Sequence, residues 1–296
     1  MAAEWEGKSR GTALGYRIYI FFIRHLGLNA AYFILHFVVF YFCIFSPKSS
    51  RAIYYYFRKR QRYSKVKSFF SIYTSYYRFG QTLVDKMAIS SGFKDRYTYN
   101  FDGTELISDL LEAGKGGILI SAHVGNFEVS EFFFDVVGTN VLDKISLVTW
   151  DQEHREIKEY MKSITSESSI KFILIKDDMS HIFEIHQAIS KGEIVCFTGD
   201  RYIKGTKFLE EELMGAKAKF PLGPYLMASK LNIPVLFVYV MKEPKKHYQL
   251  YARSIKVERG DAKGILKAYT QNLEWILKKY PLQWFNYFDF WQDRKK

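Results

Sequence analysis

The chain has 296 residues, room for one large domain or two small ones at roughly 100–200 residues each. Hydrophobic residues make up 48% of it and charged residues 25%, which excludes wholesale disorder. Its two cysteines, Cys43 and Cys196, cannot support a disulfide framework or a Cys-rich zinc site. The net charge of +12 calls for an acidic partner: nucleic acid, anionic lipid or an acidic protein.

That charge is concentrated at the start. Residues 1–84 hold thirteen Lys/Arg against two Glu, a net +11, and no acidic residue stands between Glu6 and Asp85. The same stretch contains the most apolar run, Ala30 to Phe45, flanked by Arg10, Arg17 and Arg24 before it and by Lys48, Arg51 and the basic cluster Arg58, Lys59, Arg60 and Arg62 after it. Such a run with basic and aromatic flanks predicts a membrane-associated helix, either a single span or a monotopic anchor, on an anionic surface. Pro47 marks the predicted helix end. No small-residue cleavage site follows the run, so it does not read as a signal peptide. No zinc-finger or RNP motif accompanies the basic cluster, so nucleic acid is not the expected partner. The expected division is 1–84 as basic, apolar anchoring helices and 85–296 as an α/β domain.

Beyond about residue 100, apolar strands alternate with helices. A helix over Glu105–Ala113 leads to a strand at Ile118–Ala122, then a loop and a helix over Glu128–Phe134. Strands follow at Ile145–Thr149, Phe172–Ile175, Ile194–Thr198, Val235–Val240 and Tyr248–Ala252. Helices are predicted at Arg155–Ser163, Met179–Ser190, Leu222–Lys230 and Ala262–Lys279. The pattern predicts a mostly parallel central sheet flanked by helices. Ligands bind such sheets outside the carboxyl ends of the strands. Two polar clusters fall there: His123 to Glu128, and Gly199-Asp200-Arg201.

In the first cluster, a turn can fold the Glu128 carboxylate back onto the Nδ1 of His123, fixing the tautomer and leaving Nε2 as a general base. A plain capping loop fits the same spacing. In the second, Asp200 and Arg201 form a local ion pair or present a guanidinium to an anion or an oxyanion. There is no G-x-S-x-G elbow, no P-loop or dinucleotide fingerprint, and no H-E-x-x-H. His181 and His186 with Glu184 lack helical metal-ligand spacing, so no metal is expected.

His123-Val-Gly-Asn-Phe-Glu128 resembles the H-x4-D/E box of glycerolipid acyltransferases. Its form is similar to that of the lipid A late-acyltransferase (lauroyl/myristoyl) branch. The stretches 196–202, 213–240 and 279–288 resemble further blocks of that branch in order, as does the apolar helix ending in Ser46-Pro47. Two blocks depart from it: Thr149-Trp150-Asp151 and Tyr287–Trp291 stand where that branch carries arginines. The resemblance implies a glycerolipid acyltransferase-like fold and an acyltransferase with His123 and Glu128 catalytic. Oxyanion or substrate contacts would come from Asn126, Asp200, Arg201, Gly215 and Pro221, and membrane or donor docking from Arg58, Lys59, Arg60 and Arg62. It implies no cofactor beyond the co-substrate, acyl carrier protein (acyl-ACP) or acyl-CoA. The acceptor would be a lipid A-like or other membrane lipid, reached from the cytoplasmic side of a bacterial inner membrane. The alternative is a non-catalytic membrane scaffold with the same fold.

Overall fold

The computed structural model describes residues 20–127, 129, 144–149, 171–176 and 178–291. The helices predicted over 128–134 and 155–163 lie almost wholly outside these residues.

After a helical stretch over residues 20–25, helix α1 spans Leu28–Phe45, and its 18 residues are long and apolar enough to cross a membrane. Its length is about 27 Å at the helical rise. One stripe, Leu28, Ala31, Leu35 and Val39, is buried. The opposite stripe, Phe33, Phe37, Phe40 and Ile44, is exposed. Each recurs at three or four residues, the spacing of one helix face. Pro47 does follow the end of α1, and it also occupies the first position of α2, Pro47–Tyr55, where its missing N–H costs nothing. The chain runs on through a π-helical turn, Tyr56–Arg60, to the long helix α3, Lys65–Ala88. Ser64 caps α3 by accepting from the Lys67 N–H at 3.2 Å. The division expected at residue 84 falls inside this helix. The core containing Leu35 and Val39 of α1 is continuous with that of the sheet.

The remaining elements are β1 Thr98–Asp102, α4 Thr104–Ala113, β2 Gly117–Ser121, β3 Ile145–Thr149, β4 Lys171–Leu174, α5 Ser180–Ser190, β5 Ile194–Thr198, β6 Phe208–Leu213, β7 Ala216–Pro221, α6 Leu222–Lys230, β8 Val235–Glu243, β9 His247–Ser254 and α7 Ala262–Lys279. Seven strands form one sheet in the order β1-β9-β8-β2-β5-β3-β4. All pairings are parallel except β8 with β9. The central strand β2 is buried along its whole length, as a continuous apolar run with helices on both faces should be. The expected α/β architecture is present, with two additions: the edge strand β1 and the separate hairpin β6–β7.

One register fixes the site. Strands β2 and β5 are adjacent and parallel, with Ser121 opposite Thr198. Residues 123 and 200 each lie two positions beyond those paired ends, so the sheet delivers both polar clusters to the same edge.

Candidate active site

Asp200 is fully buried, and four donors converge on its two oxygens. His123 Nδ1 lies 2.6 Å from Oδ1. Oδ2 accepts from the His123 backbone N–H at 3.0 Å, from Asn286 Nδ2 at 2.8 Å and from Trp284 Nε1 at 3.2 Å. Burial pushes the carboxyl pKa up. The charge of His123, its hydrogen bonds and Arg201 outweigh that and hold the pKa at about 2. At neutral pH the group is therefore a carboxylate, which only accepts hydrogen bonds. The proton in the 2.6 Å contact belongs to His123 Nδ1, and in the neutral ring the lone pair is on Nε2. The His123 side chain is 27% exposed, so substrate can reach it, while its carboxylate partner is sealed from water.

The sequence reading assigned this Nδ1 contact to Glu128, and the contact observed is made by Asp200. Glu128 itself lies outside the described residues. The reading also offered Asp200 a local pairing with Arg201. The structure instead turns Arg201, half-buried, toward the segment after α7, where Nε donates to Asn286 Oδ1 at 2.8 Å and a terminal nitrogen to the Phe285 carbonyl at 3.0 Å. Burial pulls its pKa down to about 10, with Asp200 pulling the other way, so it stays protonated. Arg201 thus orients the Asn286 amide, oxygen toward the guanidinium and nitrogen toward Asp200.

The segment after α7 closes the site. Val124 bridges Trp284 in antiparallel fashion. Phe285 N–H donates to the His123 carbonyl at 2.9 Å, and Gly125 N–H to the Gln283 carbonyl at 2.9 Å. Trp284 and Asn286 lie in the 279–288 block, and nothing in the sequence marks either for a role at the histidine. Gly125 has a φ of +60°, and a Cβ there would meet the Val240 carbonyl oxygen at 2.0 Å, so only glycine fits the loop.

Asn126 is buried and does not present its amide to the histidine. Its Nδ2 donates to the Thr82 carbonyl at 2.9 Å and to the Tyr248 hydroxyl at 3.2 Å. Its backbone N–H donates to Val240 at 2.7 Å. Behind it lies a second buried carboxylate, Asp85. That group accepts from Tyr97 at 2.9 Å and from Tyr32, Tyr248 and Lys242 at closer range. Lys242 and Asp85 form an almost completely buried ion pair. Lys242 N–H and carbonyl also hold the Gln283 side chain, at 3.0 and 2.7 Å. Tyr32 of α1, Asp85 of α3 and Lys242 of β8 thereby fix the loop carrying His123 from behind. No sequence motif marked this cluster.

Gly215 and Pro221 were expected to touch substrate. Gly215, with φ +79°, and Met214, with φ +52°, are the two turn residues of the β6–β7 hairpin, a setting that accounts for the glycine on its own. Pro221 ends β7 and precedes the first turn of α6. Of the basic cluster, Arg58 donates to the Tyr63 carbonyl at 3.1 Å. The Arg60 guanidinium lies over the rings of Tyr55 and Trp291, at 5.2 and 5.1 Å from their centres. Lys59 and Arg62 are exposed. Among the described residues no group of three or more His, Cys, Asp or Glu could hold a metal.

The arrangement is an imidazole with a fixed tautomer, backed by a buried carboxylate, at the carboxyl edge of a parallel sheet. It can take a proton from a hydroxyl or amine. A family model described as bacterial lipid A biosynthesis acyltransferase matches residues 62–292. No match is found among curated protein sequences.

Proposed function

Since the chain belongs to the bacterial lipid A biosynthesis acyltransferase family, and is thus an acyltransferase of lipid A biosynthesis, we propose that His123 is its general base. Nε2 draws the proton from a hydroxyl or amine of a lipid A-like acceptor as that group attacks the carbonyl of an acyl thioester. That attack forms the new C–O or C–N bond, and collapse of the tetrahedral adduct restores the carbonyl. The C–S bond breaks, and the departing thiolate takes the proton back from the imidazolium. The observation that carries this reading is the 2.6 Å contact between Nδ1 and the buried Asp200 carboxylate. It sets the tautomer and supports the imidazolium, as the third member of a catalytic triad does. Glu128, five residues after His123 in the sequence, is the second residue we assign to the reaction, on the strength of the H-x4-E box.

The donor we favour is acyl carrier protein, an acidic protein suited to the net +11 carried by residues 1–84. The acceptor is reached at a membrane on which the exposed face of α1 rests, at the cytoplasmic side of the inner membrane. That face, Phe33, Phe37, Phe40 and Ile44, supports the placement.

Replacing His123 with Ala tests the base directly. A positioned general base contributes about 10²–10⁴-fold, so thioester-dependent acyl transfer should fall by that much while the melting temperature is held. A folded His123→Ala protein that keeps more than about a tenth of wild-type turnover would remove His123 from the chemistry.

A further inference from the structure

Between α2 and α3, away from the histidine, lies an open groove of about 510 Å³. Its rim carries Arg51, Arg58 and Lys59, and its apolar wall includes Tyr54, Phe69 and Ile72. Phe69 is 65% exposed, and beside it Phe70 and Val66 are equally bare. Ile44 and Phe45, at the near end of α1, extend the same apolar surface. Three cations thus line one greasy trough. No Asp or Glu occurs in the sequence between Glu6 and Asp85, so α2 and the first five turns of α3 carry no acidic residue of their own. Among the described residues Arg51 and Lys59 make no ion pair. A trough with an apolar wall and a cationic rim matches an amphiphile with a charged head.

We infer that this groove is a discrete binding site for one anionic phospholipid of the bilayer, its phosphate held by Arg51, Arg58 and Lys59 and its acyl chains laid over Phe69 and Ile72. The inference rests on the membrane placement proposed above. A lipid seated there would fix the protein's height and tilt on the bilayer. Diffuse attraction to a charged surface would fix neither.

The experiment uses the full chain in neutral-detergent micelles and dihexanoyl phosphatidylglycerol, below its own micelle-forming concentration, as the probe. Binding should saturate at one lipid per protein. A cation at an anionic headgroup contributes ~1 kcal/mol, or about fivefold in affinity. The double change Arg51→Gln and Lys59→Gln should therefore weaken binding about thirtyfold. Removing the same charge at two exposed lysines outside the groove, Lys48→Gln with Lys65→Gln, should leave it unchanged. Phe69→Asp, at a position too exposed to matter for folding, should abolish it, and His123→Ala should retain it. Non-saturating binding, or equal losses in the two double variants, would overturn the discrete site. Inorganic phosphate binding as tightly as the lipid would overturn the assignment to a phospholipid. If the full chain does not associate with vesicles at all, the membrane placement fails, a result separate from any outcome at the groove.

Discussion

Replacing Asp200 with Asn changes one atom in a fully buried position, and the hydrogen bonds around it dictate the consequence. Oδ2 accepts from three N–H groups, whereas Oδ1 meets only His123 Nδ1. An asparagine can put its oxygen at either place. With its NH₂ at the Oδ2 position it would set three donors against a donor, at about 1–3 kcal/mol for each group left unsatisfied. With its oxygen there, all three are kept and the NH₂ faces the imidazole. The second orientation wins by several times the thermal energy. In it the amide donates to Nδ1, so the lone pair sits on Nδ1 and the proton on Nε2. The residue that should accept a proton from substrate then presents one. In a catalytic triad the same carboxylate-to-amide change costs about 10⁴ in turnover, and we expect a loss of about 10³–10⁴ here by the same reasoning. The fold should be kept, because the hydrogen bonds around residue 200 hold their geometry and lose only their charge assistance, at about 1 kcal/mol each. The assay is acyl transfer from a thioester donor at neutral pH, with thermal unfolding run in parallel and a nitrogen-resolved NMR spectrum of the histidines to read the tautomer. If Asp200→Asn is folded, carries its proton on Nε2 and still turns over within tenfold of wild type, the tautomer argument is wrong.

Three further outcomes follow from the buried groups. Asp85→Ala leaves Lys242 charged and alone among tyrosines, which should cost about 3–5 kcal/mol in urea unfolding. Replacing both, Asp85→Leu with Lys242→Met, should recover only part of that loss, because the hydroxyls of Tyr32, Tyr97 and Tyr248 still lose their acceptor, and a single variant as stable as wild type would show that the pair is not buried as described. Gly125→Ala forces a Cβ against the Val240 carbonyl, so the melting temperature and turnover should fall together, with at least ~2 kcal/mol lost from backbone strain alone. Asp200 also governs acid stability. Its folded pKa of about 2, below the ordinary 3.8, adds stability above pH 3.8 that is lost as pH falls toward 2. At about 1.4 kcal/mol per pKa unit this amounts to roughly 2 kcal/mol. Asp200→Asn should flatten that part of the stability–pH curve, and a curve parallel to wild type between pH 4 and 2 would contradict the shift.

The buried strands were legible in the sequence because each is a short apolar run between turn residues. Helix α7 was legible from its apolar spacing and the proline after it. The hairpin was not. Phe208–Leu213 contains three consecutive glutamates and Ala216–Pro221 alternates with lysine, the pattern of a solvent-facing ribbon, and such segments resemble loops when read for hydrophobicity alone. His123 and Asp200 were each placed at a strand end, yet not with one another, because a separation of 77 residues carries no spacing signal. The information lay in topology: once β2 and β5 are neighbours in register, two loops of equal offset must meet. The Asp200–Arg201 ion pair looked natural because the residues are adjacent. The structure puts the Asn286 amide between them, its oxygen accepting from Arg201 and its nitrogen donating to Asp200, whose other oxygen meets the histidine. The Asp85 cluster left no trace, since a lone aspartate in a helix and a lone lysine in a strand are ordinary residues until packing brings them together.

The segment that closes the site over His123 also sets a timetable. Asp200 follows the histidine by 77 residues, and Asn286 follows Asp200 by 86 more. On the ribosome, α1 therefore emerges and finds its environment long before the base has its carboxylate, and longer still before Asn286 and Trp284 hold that carboxylate in place. Throughout that interval the histidine is an ordinary imidazole with no assigned tautomer. The proposed base is therefore completed only when the last pieces of the pocket have been made.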